Sequence, residues 1–156
     1  MTGPATDALD SAAVTHEVIR HGPAGSVAEA AGQLGVAVAD VVKTIVIRRG
    51  DDDYVFVLVP GDRVISWPKL RTLLGVNRLA LPDAEAARNA TGYERGTITP
   101  FGSTTAWPVV ADERVRGRRI TLGAGVRGVA VALAADDALA ALAATVADVT
   151  EPEPAR

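Results

Sequence analysis

Lysine is scarce in this sequence, and one of its two lysines stands where a charged side chain is unexpected. Lys43 and Lys69 are the only lysines among 16 basic residues in a chain of 156 residues. Lys43 opens the apolar segment 43–47, and strand alternation predicts that its side chain shares a face with Ile45 and Ile47. A cation on an apolar face is unfavourable unless its ammonium reaches water or an anion. Lys43 is therefore either a strand-end lysine that reaches solvent, or a cation at the mouth of a pocket that binds a phosphate or a carbonyl oxygen.

The segment 95–103, with the sequence RGTITPFGS, is the second candidate for chemistry. Gly96 and Gly102 permit positive φ and close approach to a ligand, while Pro100 stiffens the chain between them. Such a loop can direct several backbone N–H groups at one oxygen, as an oxyanion hole requires. The alternative is an ordinary structural turn, which glycine and proline also mark.

Cysteine is absent and histidine is limited to His16 and His21. These counts exclude disulfides, thiolate zinc sites and cysteine nucleophiles, and they disfavour a histidine-rich metal site. We therefore expect neither a metal ion nor a cofactor. His21 precedes Gly22 and Pro23 and is either a surface histidine or a residue of the site.

The segment 123–128, GAGVRG, matches the dinucleotide-binding fingerprint letter for letter. That fingerprint requires a helix directly after it, so that backbone N–H groups meet the pyrophosphate. Residues 129–133 instead alternate like a strand, which predicts a glycine-containing turn between two strands.

Four arginines surround Gly117 and could contact phosphates, or they could belong to a solvated hairpin. They are Arg114, Arg116, Arg118 and Arg119. Neither interpretation is preferred by the sequence.

The overall charge and hydropathy limit the class of protein. The net charge of −3 and the pI near 5.3 argue against a general nucleic-acid coat, but they permit an enzyme that binds only the end of a strand. No apolar run approaches the roughly 20 residues that span a bilayer, and residues 1–14 lack the features of a secretory signal. We expect a cytoplasmic protein with no membrane partner.

The hydrophobic pattern predicts helices and strands without a regular βαβ alternation. Ser26 and Glu29 form a capping box, Ser66 caps a second helix that ends at Gly75, and that helix is expected to bury Leu70, Leu73 and Leu74. Further helices are predicted over 82–89 and through Leu139, Leu142 and Val146. Predicted strands cover 14–20, 42–47, 54–59, 78–81, 107–111, 119–122 and 128–133.

We predict an α+β fold, a single domain with a strongly curved, mixed and mainly antiparallel β-sheet flanked by helices. Residues 1–13 are poor in core-forming side chains and are expected to be poorly ordered or a short helical lead. Residues 14–149 form the domain. Residues 150–156, with Pro152 and Pro154, are predicted to be a flexible tail.

Taken in order, these motifs resemble the YbaK family, which is related to the editing domain inserted in bacterial prolyl-tRNA synthetases. The resemblance rests on four segments and covers about residues 14–149. They are Val42-Lys43-Thr44, Thr91-Gly92-Tyr93, Gly96-x-x-x-Pro100-x-Gly102 and Gly123-Ala-Gly125-x-Arg127-Gly128.

The resemblance implies a deacylase that hydrolyses the ester between a wrong amino acid and the 3′ end of tRNA, with Cys- or Ala-tRNA(Pro) as expected substrates. Prolyl-tRNA synthetase is a candidate partner. Lys43 corresponds to the essential lysine of the family, and Gly96 lies in the loop that holds the aminoacyl carbonyl. Relatives use no protein nucleophile: a water attacks, assisted by a ribose hydroxyl of the substrate. The implied substrate-binding residues are His21, Thr44, Ile98, Pro100, Phe101, Gly102 and Gly125.

Ala130 departs from the family pattern, because many relatives carry an aspartate there that could hold the substrate ammonium. This difference leaves open a non-catalytic module of the same fold that binds tRNA or a synthetase. Hydrolysis of a small ester or amide unrelated to tRNA is a third alternative.

Overall fold

The computed structural model describes residues 3–154, which contain five α-helices and nine β-strands. The helices are α1 Pro4–Ser11, α2 Val27–Leu34, α3 Trp67–Leu74, α4 Ala84–Thr91 and α5 Ala135–Ala141. The strands are β1 His16–Arg20, β2 Lys43–Gly50, β3 Asp53–Val59, β4 Arg63–Ile65, β5 Val109–Asp112, β6 Arg119–Gly123, β7 Val129–Ala134, β8 Thr145–Ala147 and β9 Thr150–Pro152. None of the helices in residues 3–154 is long and apolar enough to cross a membrane.

The strands form one three-stranded, one four-stranded and one two-stranded sheet. The order β1-β7-β6 is antiparallel throughout, whereas β2-β3-β5-β8 combines an antiparallel β2–β3 pair with parallel pairs on the other side. A bridge between Val41 and Thr121 joins the two larger sheets, and the N–H of Val42 donates to the Thr121 carbonyl at 3.0 Å. The result is a curved, mixed sheet that does not close into a barrel, which confirms the predicted α+β single-domain fold.

The β2–β3 hairpin separates two apolar clusters, because successive side chains of a strand point to opposite faces. Val46, Phe56 and Leu58 belong to the larger cluster, together with side chains of β6 and β7. Ile47 and Val57 face the other way and pack near α3. This alternation confirms the predicted hairpin and gives Lys43 and its neighbour Thr44 opposite faces of the strand.

The N-terminal segment is more closely packed than its composition predicted. Ala5 and Leu9 on α1 are 1% and 0% exposed and belong to the larger cluster. Although the segment holds few core-forming side chains, these two apolar residues, spaced by four, share one face of a short helix and reach the core. The helical alternative is found over Pro4–Ser11, while residues 1 and 2 lie outside the described part.

The C-terminal segment also differs from the prediction. The last helix ends at Ala141, and Val146 lies on β8 instead of continuing the helical stripe. Thr150, predicted to begin a flexible tail, is fully buried and pairs with Ile65 as part of β9. The tail boundary is wrong because β4 offers backbone partners that no local pattern reveals; residues 155 and 156 of that tail lie outside the described residues.

Local signals located the helix ends but not every capping contact, since Ser66 is the N-cap residue of α3 and yet its side chain makes no capping hydrogen bond. The Ser26 hydroxyl accepts from the N–H of Glu29, although the Glu29 carboxylate accepts from Gly25 and not from Ser26. Leu73 is 38% exposed, so the prediction that it faces inward is wrong. The predicted strand 78–81 is reduced to a single bridge at Ala80.

Candidate active site

A cleft of about 990 Å³ lies beside β2, which is the outer strand of the four-stranded sheet. Its other walls come from the segment before α2, the β6–β7 turn, the start of α4 and the loop 95–98. Five of the predicted site residues line this cleft, although they come from distant parts of the chain. They are His21, Lys43, Thr44, Gly96 and Ile98.

The Lys43 side chain is half-buried, and its Nζ donates a hydrogen bond to the Arg63 carbonyl at 2.7 Å. Burial lowers the pKa of Lys43, while the carboxylates of Glu153 and Asp62 act in the opposite direction. One of the three ammonium protons is therefore engaged by the protein, and the others can serve an anion. This geometry is more constrained than that of a lysine extended into solvent.

Thr44 presents a buried hydroxyl at the cleft. Its Oγ1 has no hydrogen-bond partner among residues 3–154. Leaving a buried hydroxyl unpaired costs about 1–3 kcal/mol, and a polar ligand atom in the cleft would recover part of that cost. Thr44 is thus suited to contact a bound molecule.

The loop 94–103 is held from behind by Tyr93. The Tyr93 hydroxyl donates to the Phe101 carbonyl at 2.7 Å, and burial raises the pKa of Tyr93 to about 12. The N–H of Gly125 donates to the Thr97 carbonyl at 2.9 Å, which ties the β6–β7 turn to the same loop. These contacts fix the backbone on both sides of Gly96.

Four predicted substrate-binding residues support this loop and do not line the cleft. Pro100 and Phe101 are buried, and Phe101 belongs to the core. A Cβ on Gly102 would lie 2.4 Å from the Pro4 carbonyl, and one on Gly125 would lie 2.4 Å from the Tyr93 ring. Their glycine identity is explained by close packing behind the loop.

Gly96 differs from these glycines. It has φ +90°, it is exposed, and a Cβ there would meet no atom within 4 Å. Its conformation, and not lack of space, therefore requires glycine. This is the behaviour expected of a loop that must keep its backbone accessible.

His21 connects two walls of the cleft. The backbone N–H of His21 donates to the Gly128 carbonyl at 2.9 Å, and the ring Nδ1 lies 2.9 Å from the Gly22 carbonyl. The second contact requires a proton on Nδ1, because the Gly22 carbonyl can only accept a hydrogen bond. Ala130, on β7, is buried and also lines the cleft.

Sequence reasoning missed part of the cleft rim. Arg95 and Arg127 both line the cleft and are exposed, and Arg127 lies 3.6 Å from the Glu94 carboxylate. Leu81 and Val126 add apolar side chains that are 59% and 39% exposed. The two arginines flank motif glycines, which was the available signal, whereas nothing local indicated that Leu81 would reach the cleft.

The arginine cluster near Gly117 is largely occupied by carboxylates. Arg114 pairs with Asp148 and Asp112, and the hydrogen bond to Asp148 raises the pKa of Arg114 against the lowering effect of burial. Two further members of the cluster, Arg118 and Arg119, also form ion pairs, with Asp40 and Glu17. This pairing favours the structural interpretation of the cluster. The β6–β7 turn also follows its structural interpretation, because it joins two strands.

Comparison with known proteins gives a consistent result. The EbsC protein of Enterococcus faecalis, named as a candidate Cys-tRNA(Pro)/Cys-tRNA(Cys) deacylase, is 32% identical over 137 residues, which cover 85% of this chain and 80% of that protein. The proline–tRNA ligase of Heliobacterium modesticaldum is 36% identical over 104 residues, or 66% of this chain and 18% of the ligase. The chain spans less than a fifth of the length of the proline–tRNA ligases that it matches.

A solved structure described as a candidate trans-editing enzyme for prolyl tRNA synthetase has the same fold, with a TM-score of 0.84, 26% identity and coverage of 97% of this chain and 99% of that chain. A second solved chain, described as a hypothetical protein, gives a TM-score of 0.88 at 25% identity and covers 96% of this chain. The aminoacyl-tRNA editing domain family matches residues 21–141, a span that contains every predicted site residue. The resemblance to the YbaK family is thereby confirmed, and the chain belongs to the aminoacyl-tRNA editing domain family.

Proposed function

We propose that this protein is an aminoacyl-tRNA deacylase that acts in trans on mischarged tRNA. The observation that carries the proposal is the convergence of Lys43, Thr44 and Gly96 on one cleft within the family match. A cleft of about 990 Å³ falls within the usual range of ligand sites, about 300–1,000 Å³, so a terminal aminoacyl-adenosine is a suitable occupant.

The reaction is ester hydrolysis. A water oxygen bonds to the carbonyl carbon of the amino acid, the bond from that carbon to the ribose oxygen breaks, and the ribose oxygen leaves with a proton. Negative charge develops on the carbonyl oxygen, and backbone N–H groups of the loop around Gly96 are proposed to stabilise it. Lys43 is proposed to bind the anionic phosphate end of the substrate.

The chain itself provides positioning and electrostatic stabilisation and needs no protein nucleophile. The proposed reaction is metal-independent, in keeping with a sequence that has two histidines and no cysteine. We propose Cys- or Ala-tRNA(Pro) as substrates and prolyl-tRNA synthetase as a partner. Support comes from the name of EbsC and from the similarity to proline–tRNA ligases.

A deacylation panel tests this proposal. Purified protein is incubated with tRNA(Pro) carrying alanine, cysteine, serine or proline, and release of each amino acid is compared with buffer and with Lys43→Ala protein. We expect faster release from at least one mischarged tRNA and no effect on prolyl-tRNA(Pro). Background rates across the panel, with folded protein, would contradict catalysis and favour the non-catalytic binding module that Ala130 suggests.

A further inference from the structure

The side-chain ammonium groups of both lysines donate hydrogen bonds to two short paired strands. Lys43 Nζ donates to the carbonyl of Arg63 on β4, at 2.7 Å, and Lys69 Nζ donates to the carbonyl of Thr150 on β9, at 3.1 Å. These strands form the β4–β9 pair, in which Arg63 aligns with Pro152 and Ile65 aligns with Thr150. We propose that Thr150 is a positioning residue that holds the Lys43 ammonium at the cleft through the Arg63 carbonyl. The proposal rests on the proposed function, in which Lys43 contacts the substrate.

The side chain of Arg63 contacts Thr150. Arg63 Nε donates to Thr150 Oγ1 at 2.7 Å, and its Nη2 donates to the Thr150 carbonyl at 3.3 Å. The side chain of Arg63 thus attaches β4 to one residue of β9, while the main-chain carbonyl of Arg63 receives Lys43. Movement of β4 would move the acceptor of Lys43.

Thr150 is anchored in the core. Its hydroxyl donates to Asp112 Oδ1 at 2.9 Å, and the N–H of Val149 donates to the same oxygen at 3.2 Å. Thr150 and Asp112 are both 0% exposed. A buried carboxylate with several donors is a rigid attachment point, because moving any donor leaves a charge unsatisfied. The Thr150 hydroxyl is therefore both the acceptor for Arg63 and the link to the core.

The end of the β4–β9 pair also carries negative charge. The N–H of Glu153, just after β9, donates to the carbonyl of Asp62, just before β4, at 3.3 Å. This contact keeps two acidic residues at the end of the β4–β9 pair, where their charges favour the protonated form of Lys43 against the effect of burial. The β4–β9 pair therefore provides a hydrogen-bond acceptor for the Lys43 ammonium and holds two negative charges that oppose the effect of burial on its pKa.

Thr150 lies outside the residues that match the family. Residues 21–141 include Arg63, Asp112 and Lys43 but stop before β9. Thr150 would thus belong to the functional site, although it lies outside the matched span and does not line the cleft.

The test uses Thr150→Val, which preserves shape and strand preference but removes the hydroxyl. Thr150→Ser restores the hydroxyl, and Thr145→Val makes the same change at an exposed position of β8. A second variant, Arg63→Met, removes both contacts to Thr150 and keeps the main-chain acceptor of Lys43. It replaces Thr150→Val if that variant does not fold.

Two readouts are measured on the full chain. Protein labelled with 13C,15N-lysine gives two side-chain signals, which Lys69→Arg assigns, and pH titration follows the pKa of the Lys43 amine. Deacylation of mischarged tRNA(Pro) gives kcat and KM separately. For Thr150→Val and Arg63→Met we expect a shifted Lys43 signal, a changed amine pKa and a fall in kcat of about tenfold or more, since small misplacements at a site are costly. Thr150→Ser and Thr145→Val should resemble the wild type.

An unchanged Lys43 signal and titration in both variants would overturn the inference, whatever the activity. A fall in kcat without a change at Lys43 would also overturn it, because Thr150 would then have only a structural role. Wild-type protein that is inactive across the tRNA panel would remove the proposed function, while the Lys43 signals would still decide whether Thr150 positions the ammonium.

Discussion

The same substitution at two glycines of one loop should mainly lower stability at one position and mainly lower activity at the other. Gly96→Ala and Gly102→Ala each place a Cβ on a residue with positive φ, +90° and +74° respectively. The conformational cost of alanine there is about 1–2 kcal/mol in both variants. The surroundings differ, because the new Cβ meets nothing within 4 Å at Gly96 but lies 2.4 Å from the Pro4 backbone at Gly102.

Normal carbon contacts are about 3.5–4.0 Å, so alanine at Gly102 forces α1 or the loop to move. Overpacking of this kind adds about 1–3 kcal/mol, which gives a total loss near 3 kcal/mol for Gly102→Ala. In a domain of this size such a loss lowers the unfolding midpoint by about 6–12 °C. Gly96→Ala should lower it by about 2–8 °C.

Activity should show the reverse order. Gly96 lies on the cleft and is proposed to present the backbone to the aminoacyl carbonyl, so Gly96→Ala should reduce deacylation about tenfold or more. Gly102→Ala should keep most of its turnover at temperatures where it is folded. Thermal unfolding by circular dichroism and single-turnover deacylation at 20 °C measure the two effects on the same preparations.

The reasoning would be refuted by a Gly102→Ala protein as stable as wild type, since α1 could not then pack against the loop as described. Full activity of Gly96→Ala would separately remove the loop from the mechanism. Loss of both stability and activity in both variants would show that the loop and α1 form one unit, without the division of roles proposed above.

Four further predictions follow from the same structure. Lys43→Ala should reduce single-turnover deacylation by about one to two decades without loss of thermal stability. Lys43→Arg should also be impaired, because a planar guanidinium does not replace a compact ammonium. A folded Lys43→Ala protein with wild-type turnover would exclude Lys43 from the reaction. Because burial lowers the pKa of Lys43, the unfolded chain binds the ammonium proton more tightly than the native chain does. The free energy of unfolding should therefore rise as the pH increases through the native pKa of Lys43. Urea titrations between about pH 8 and 11 should show this rise for the wild type and not for Lys43→Met. EDTA should leave deacylation unchanged, and a loss that zinc restores would reveal a metal site. Ala143 has φ +50°, so Ala143→Gly should raise the unfolding midpoint or leave it unchanged, whereas Ala140→Gly inside α5 should lower stability by about 0.5–1 kcal/mol. Equal effects of the two substitutions would contradict this.

What the sequence could predict was determined mainly by local chemistry. β-branched and aromatic residues with a polar turn between them identified the β2–β3 hairpin, and strand alternation placed Lys43 correctly relative to Ile45. The helix end at Gly75 followed from the left-handed backbone that glycine adopts easily. Motif order then identified the family without any knowledge of contacts.

What could not be predicted depends on partners far away in the chain. Thr150 is ordered because Asp112 and Arg63 hold it, and neither contact leaves a local pattern. Gly102 and Gly125 looked like ligand-facing glycines, but α1 and the Tyr93 ring occupy the space beside them. Sequence motifs therefore located the loop, whereas only the tertiary structure could separate the glycines on the cleft from those that pack behind it.

The outer position of β2 has a consequence for how the protein behaves at high concentration. An unpaired strand edge can pair with a strand of another molecule and so begin aggregation. Here β2 pairs with β3 on one side, and its other edge is bounded by the bridges Val41–Thr121 and Arg48–Ala80. Between these bridges, residues 42–46 line the cleft, so the substrate proposed above would lie beside the same edge that a second β-strand would need. The two bridges therefore confine the part of the β2 edge that could pair with another molecule to the part that borders the cleft.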